Sequence, residues 1–263
     1  MKTFVCIKYV PDTSEAVVKI NAGGTAVDSS RFSFDINDAD NYAVEEAVLI
    51  KEKCGGTVTV LSIGPKESEV MIRMALAKGC DDAIRIEDER IALYDPLMVA
   101  KTLAGAIKGQ EFDLVLTGCM ASDDGQMATG VALAEYLGVP HAAMVKKVEM
   151  LDGKVKVQRE LEGGLMEVLE LELPAVLTIQ TGINEPRYAP IRGIRAAQKK
   201  ELKLVNLDDL GLAASEVDSS ASKIVLEKLY IPEVASTAEV IEGSDADEKA
   251  EKLASILVKG GLV

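Results

Sequence analysis

A chain of 263 residues can bury a large core, and 48% hydrophobic with 27% charged residues place it in the soluble globular class. A formal net charge of −14, four Phe and no Trp oppose both phosphate-backbone binding and a stacking platform for single-stranded nucleic acid. Four widely spaced cysteines (Cys6, Cys54, Cys80 and Cys119), no Cys-x-x-Cys and one histidine, His141, supply no zinc or iron–sulfur ligand set, so scattered buried thiols in a reducing compartment are expected and no metal site.

The N-terminus enters a strand at once. Neither a signal peptide nor a run of about 18 apolar residues follows, so a cytoplasmic chain without a membrane span is expected. Residues 3–10 are dense in β-branched and apolar side chains and read as a strand buried on both faces of a parallel sheet. Pro11-Asp12-Thr13 reads as the turn that ends it, and Asn21-Ala22-Gly23-Gly24 as a small turn or hairpin. Asn37 or Asp38 stands where a helix N-cap belongs. Behind it Ala43, Ala47, Ile50 and Cys54 form one helical stripe, which assigns Glu45, Glu46, Glu52 and Lys53 to other faces, and Gly55-Gly56 stops the helix.

The next buried strand covers 57–63 and closes at Gly64-Pro65, before a helix over about 67–77 and a short strand at 82–86. Asp95-Pro96 caps a helix to about residue 107, with Pro at its first position. A strand at 112–116 and a helix ending near Leu137-Gly138 complete four strand–helix alternations, which predict an α/β, doubly wound parallel sheet. The pattern then changes. Val155 and Val157 alternate with polar residues after an Asp152-Gly153 turn, and Leu169, Leu171 and Leu173 alternate with Glu170 and Glu172, as in half-exposed antiparallel strands. Pro174 opens the last buried strand. Residues 1–205 are thus assigned to an α/β nucleotide-binding domain with an added antiparallel hairpin region, and 206–263 to a C-terminal arm and helix. Residues 223–231 read as an extended segment, and Asp245 caps a helix with the stripe Ala250, Leu253, Ile256 and Leu257. Such a short helix must dock on the body or on another subunit.

Ligands of open parallel sheets bind beyond the carboxyl ends of the strands, where strand order reverses. Three loops leave such ends: Cys6 to Thr13, with Lys8, Pro11 and Asp12; Ser62 to Pro65, with Ile63 and Gly64; and 118–130. The third carries Gly118, Gly125 and Gly130 and hydroxyls at Ser122 and Thr129, between a strand and a helix. Backbone N–H groups at a helix start together with hydroxyls make a phosphate cradle, although an ordinary βα turn with an Asp cap has the same spacing. The loop is neither a P-loop nor GxGxxG. Asp123 and Asp124 would repel a phosphate and are expected to cap the helix or to accept from ribose hydroxyls. No GxSxG occurs and His141 has no evident partner, so no catalytic side chain is identified. Near the end of the body, Pro186 and Pro190 punctuate a loop in which Tyr188 and Ile191 neighbour Arg187, Arg192 and Arg195. It reads either as a solvated turn or as a partner-docking loop, because Tyr, Arg and aliphatic anchors favour interface cores.

Asn184-Glu185-Pro186-Arg187-Tyr188, taken with Val157-Gln158-Arg159-Glu160, with Gly163-Gly164-Leu165-Met166-Glu167-Val168 and with the basic run ending at Lys199-Lys200, resembles the signature of the electron-transfer flavoprotein beta subunits. The resemblance extends over the N-terminal half and fades after about residue 212. It implies a fold of the adenine nucleotide alpha hydrolase-like, flavodoxin-like type and an obligate heterodimer with an alpha subunit. It also implies a carrier of electrons between a flavin-dependent dehydrogenase, of the acyl-CoA or 2-hydroxy acid type, and a second carrier. The loop 118–130 would hold the phosphate of an adenine nucleotide. Asp123, Asp124, Thr129 and Gly130 match the family, whereas Gly125, Gln126, Met127 and Ala128 depart from common versions. Further nucleotide positions fall on Cys6, on the segment from Asn37 to Asp40, and on Ile63; Asn37 recurs in the family and Asp38 replaces a usual proline.

One branch of the family binds AMP in the beta subunit and uses one FAD, held mainly by the alpha subunit. Another places a second FAD in the beta subunit, where it exchanges hydride with NAD(H) and splits the electron pair, with ferredoxin as a candidate acceptor. The Val10-Pro11-Asp12-Thr13 segment and Asp40 look like the second branch, and Asn184 to Tyr188 more like the first; the FAD-binding, bifurcating branch is favoured. The resemblance makes Glu185, Pro186, Arg187, Tyr188, Ile191, Arg192, Ile194 and Arg195 the dehydrogenase-docking loop, with Ile191 as its aliphatic anchor. Where a flavin does the chemistry the protein supplies position and electrostatics, so missing catalytic side chains are consistent with this reading. A nucleotide sensor on the same sheet would explain residues 1–138 but not the later signature. An adenylating pyrophosphatase should show a glycine-rich loop after the first strand, which Tyr9-Val10-Pro11-Asp12 is not.

Overall fold

The computed structural model describes residues 1–13, 17–232 and 238–263. β1 (Lys2–Cys6) lies inside a nine-stranded sheet between β4 (Thr57–Ile63) and β6 (Leu114–Gly118), parallel to both. Beyond β4 come β5 (Asp82–Ile86) and the edge strand β11 (Leu202–Val205), also parallel. Beyond β6 come β10 (Ala175–Ile179), β7 (His141–Met150), β8 (Lys154–Glu160) and β9 (Met166–Glu172). The sheet is parallel up to β7 and antiparallel through β8 and β9. The alternation expected of the half-exposed strands is met, with Val155 and Val157 buried and the outer face of β9 in solvent.

Successive residues of a strand point to opposite faces, and here each face has its own helices. Val5, Leu114 and Leu116 pack with α1 (Asp38–Cys54), α2 (Glu69–Lys78) and Ala197 of α5 (Ile191–Ala197). Phe4, Cys6 and Val115 pack with α3 (Pro96–Ile107) and α4 (Thr129–Leu137). This is the doubly wound arrangement that the alternation predicts. Asp95 caps α3 as expected, its side chain accepting from the Leu97 N–H at 2.8 Å.

Two local readings change. The apolar run 3–10 is not one strand. β1 stops at Cys6, and β2 (Tyr9–Asp12) leaves the sheet to pair antiparallel with β3 (Ser33–Ile36), its Tyr9 ring stacked on Phe34 at 4.9 Å. Pro11 and Asp12 therefore belong to a hairpin strand rather than to a turn. An uninterrupted apolar run cannot distinguish one buried strand from two, and the break comes where the Lys8 N–H is taken by a side chain. The second change is on α1, whose buried surface is wider than the stripe from Ala43 to Cys54: Glu45 and Glu46, assigned to other faces, are 3% and 8% exposed. Residues 184–187 cover them and supply their partners, a contact with no local sequence signal. Cys54, at the end of the same stripe, is exposed.

After β11 the chain still contributes to the body: Leu207 and Val217 are fully buried against the α3 side. α6 (Ala246–Lys259) follows, capped by Asp245, whose carboxylate accepts from the Glu248 N–H at 2.9 Å. No residue of α6 is buried, and Leu253 and Ile256 of its stripe lie open. Among the described residues no helix is long and apolar enough to cross a membrane.

Candidate functional site

From β1 the chain builds outward through β4 and β5, then returns to place β6 on the other side of β1. The carboxyl ends of β1 and β6 therefore flank a cleft of about 400 Å³, within the range of small-molecule sites. The two ends are tied by one side chain. Asp40, in the first turn of α1, accepts from the Lys8 N–H at 2.7 Å and from the Gly118 N–H at 2.8 Å. It is 6% exposed. Burial pushes its carboxyl up to about 7, because the two backbone N–H bonds offset only part of the lost hydration. A Cβ on residue 118 would stand 2.3 Å from the Asp40 Oδ1, so glycine is required by close approach.

Asn37 takes the N-cap position of α1 but makes no capping bond. Its amide is used across the cleft instead: Nδ2 donates to the Met120 carbonyl at 2.8 Å and Oδ1 accepts from the Ser122 N–H at 3.0 Å. Asp123 and Asp124 likewise do not cap α4. Both pair with the Lys8 ammonium, at 2.7 and 2.8 Å, which joins the loop after β6 to the end of β1. Burial lowers the Lys8 pKa, yet the two carboxylates outweigh it and leave it raised. The Lys8 ammonium, one residue before β2, offers these acids a full opposite charge where a helix start offers a partial one.

α4 begins at Thr129, and Ala128 at its N-cap supplies no side-chain acceptor, so its first N–H groups are uncapped where residues 127–130 line the cleft. Gly130 allows this helix start to rest on the sheet, since a Cβ there would lie 2.5 Å from both Thr117 Oγ1 and Thr178 Cγ2. Uncapped amides beside the Thr129 hydroxyl suit an anionic oxygen. Across from them Cys6 and Ile63 give an apolar surface. Burial foremost, then the charge of Asp40, raises the Cys6 pKa, so this residue acts as a small apolar thiol. The donor set fits an anionic group such as a phosphate, with apolar surface beside it for a ring.

Of the sequence-predicted residues, Cys6, Lys8, Asn37, Asp40, Ile63, Gly64, Gly118, Asp123, Asp124, Met127, Ala128, Thr129 and Gly130 line one cleft. Ser122, Gly125 and Gln126 belong to its loop without lining it, and Gln126 instead donates to the Tyr94 carbonyl at 3.0 Å. Pro11 and Asp12 lie on β2 and Thr13 directly after it, all three outside the lining. Sequence reasoning missed Leu93, Tyr94, Val99 and Leu103, which form the wall at the start of α3. The apolar pair Leu93-Tyr94 just before the Asp95 cap was the available signal.

The segment after β10 divides into an inward loop and an outward part that runs into α5, so Ile191, Arg192, Ile194 and Arg195, read from the sequence as a loop, lie on a helix. Asn184 Nδ2 donates to the Tyr42 carbonyl at 3.1 Å and to Glu46 at 2.9 Å. Arg187 bonds Glu45 through its backbone N–H at 3.0 Å and its guanidinium at 2.9 Å, and reaches Glu52 at 2.6 Å. Burial raises the Glu46 carboxyl, while Arg187 lowers that of Glu52. Tyr188 is 98% and Ile191 72% exposed; Glu185, Arg192, Ile194 and Arg195 are also exposed, and Pro186 is half-buried.

Residues 26–210 match the family described as "Electron transfer flavoprotein domain". The chain is 38% identical over 261 residues to the electron transfer flavoprotein subunit beta of Methylophilus methylotrophus, covering 98% of each chain. It is 38% identical over 259 residues to that of Bacillus subtilis, covering 98% of this chain and 97% of the relative. It is also 34% identical over 260 residues to the caffeyl-CoA reductase-Etf complex subunit CarD of Acetobacterium woodii, covering 98% of each.

Two outcomes follow from the geometry. Asp40 has a folded pKa above its ordinary 3.8, so the folded state keeps a proton that the unfolded chain has lost. Its contribution to stability is present below the unfolded value and is lost as pH rises through the folded one. The stability of the protein relative to its Asp40→Asn variant should fall from about pH 5 to about pH 7, by up to about 1.4 kcal/mol per pH unit in urea titrations. A difference that does not change with pH contradicts this. Arg187→Met strands buried Glu45 and should cost about 1–3 kcal/mol, whereas Tyr188→Ala should leave the urea midpoint within about 0.5 kcal/mol of the original.

Proposed function

The chain belongs to the electron transfer flavoprotein family, as a beta subunit, and on that premise we propose that its switch-point cleft holds FAD rather than AMP. The observation that carries the nucleotide reading is the uncapped start of α4, set with Thr129 and Gly130 in a cleft whose opposite side is apolar. The N–H groups of α4 and the Thr129 hydroxyl receive the phosphate oxygens, and Cys6 and Ile63 pack on the adenine. Asp40 and Asn37 fix the backbone that surrounds them. Leu93, Tyr94, Met120 and Met127 form an apolar, partly exposed rim, which supports a ligand with a ring system beyond its phosphates. When bound, the flavin supplies two-electron exchange with NAD(H) and single-electron transfer onward. The protein's part is to bind, orient and shield.

The same reading makes the chain one half of a heterodimer with an alpha subunit that carries the second FAD. The open stripe of α6 supports this, since nothing in the described part of this chain covers it. Electrons then pass between a flavin-dependent dehydrogenase and a second carrier, ferredoxin under the bifurcating reading. The relative named as part of a caffeyl-CoA reductase complex favours an acyl-CoA type of dehydrogenase. Tyr188 and Ile191, outward of the Arg187 clamp and flanked by Arg192 and Arg195, form the docking surface for it.

The test is to co-express both subunits and count nucleotides. Two FAD per heterodimer, one bleached by NADH, is the expected result; one FAD with one AMP and no response to NADH would assign the chain to the AMP-binding branch. Thr129→Val should weaken nucleotide retention by about 1–2 kcal/mol, as expected for one lost hydrogen bond to a charged group. Unchanged retention in a folded variant contradicts the phosphate assignment.

A further inference from the structure

β5 is apolar toward both faces at its centre except for Arg85, whose side chain is 3% exposed. A buried guanidinium is costly unless it is paired and hydrogen-bonded. Arg85 meets Glu87 at 2.9 Å and Glu69 at 3.3 Å, but both carboxylates reach solvent and a surface arginine could serve them. What burial alone provides is the third contact: Nη1 donates to the Gly64 carbonyl at 3.1 Å. Its Nε has no partner, so the guanidinium is held in a position that does not satisfy all of its own donors.

Gly64 is the turning point of the cleft wall. Its N–H is fixed by the Ile86 carbonyl at 3.0 Å, and it lines the cleft with Ile63 and Pro65. Two residues earlier, fully buried Ser62 donates to the Ile7 carbonyl at 2.9 Å, and Ile7 lines the cleft as well. Two buried donors on neighbouring strands thus each engage a carbonyl at the lip. Arg85 is itself outside the lining and shares its side of β5 with Ala83, which packs beneath α1 and α2. The Gly64 carbonyl is therefore drawn toward that side and away from the ligand space. Freed, it would present a negative dipole to an anionic ligand and release the wall.

We propose that Arg85 is a positioning residue for the nucleotide, holding the Ile63-Gly64-Pro65 wall through the Gly64 carbonyl; this rests on the reading of the cleft as an adenine-nucleotide site. Arg85 does not touch the ligand. Its effect is on the shape and the dipoles of the wall.

The experiment measures dissociation constants for AMP and for FAD by equilibrium dialysis of the nucleotide-depleted alpha–beta complex, with melting temperature recorded in parallel. Arg85→Met should raise the constants at least fivefold, and Arg85→Gln serves the same purpose if the methionine variant does not accumulate. Arg85→Lys, which keeps a donor for the carbonyl, should recover most of the loss. Glu87→Gln removes an ion pair but leaves the carbonyl bond, and should bind as the unaltered protein does. Equal affinity in the unaltered protein and in Arg85→Met or Arg85→Gln overturns the proposal. So does an equal loss in Glu87→Gln, which would assign the effect to the ion pairs. If the unaltered complex binds no AMP, and no FAD beyond the one assigned to the alpha subunit, the nucleotide reading itself fails and the role of Arg85 with it.

Discussion

A carboxylate sealed between two diverging strand ends sets the form of this site. Asp40 accepts the N–H groups of Lys8 and Gly118 at the point where the sheet opens. By taking the Lys8 amide it ends the ladder of β1 and lets β2 turn away into its hairpin. By taking the Gly118 amide it fixes the origin of the loop that leads to α4. The two bonds come from separate strands, so the spacing between their ends is set by one rigid group. The cost is desolvation, visible in the raised pKa of Asp40. Glycine at 118 is the backbone counterpart of that carboxylate, since any Cβ would enter its position.

α1 carries this constraint across the molecule. Its first turn holds Asn37 and Asp40 at the cleft, and its later turns hold Glu45, Glu46 and Glu52 against Asn184 and Arg187. One helix therefore references both the switch-point cleft and the segment that presents Tyr188 and leads into Ile191 of α5. The five-residue signature is divided accordingly: Asn184 and Arg187 face inward as a clamp, and Tyr188 faces outward. Arginine suits the clamp because its planar fork reaches two carboxylates at once, which a lysine could not do with the same geometry.

The sheet was legible in the sequence because the strand–helix alternation is strong and both faces of its central strands are apolar. The antiparallel β8 and β9 were legible from their period of two. The cleft was legible from the loops after β1, β4 and β6, because the switch-point rule acts on topology and needs no contacts. What stayed hidden involves pairs distant in sequence. Glu45 and Glu46 lie off the apolar stripe of α1 and carry no burial signal until residues 184–187 fold over them. Asn37 looks like a helix cap until the loop after β6 offers it a carbonyl and an N–H. Asp123 and Asp124 look like caps until Lys8 comes within 3 Å. In each case a local rule identified a polar residue with a task, and a partner more than eighty residues away decided which task it was.

In the proposed arrangement the nucleotide lies at the switch point, phosphate on the start of α4 and cleft held open by Asp40. A crystal structure of the alpha–beta complex with its native nucleotide tests it most directly. The account predicts phosphate oxygens within hydrogen-bond distance of the Thr129 or Gly130 N–H, the base against Cys6 and Ile63, and Asp40 still bridging Lys8 and Gly118. A nucleotide bound elsewhere on this chain, or one whose phosphate avoids α4, would contradict it.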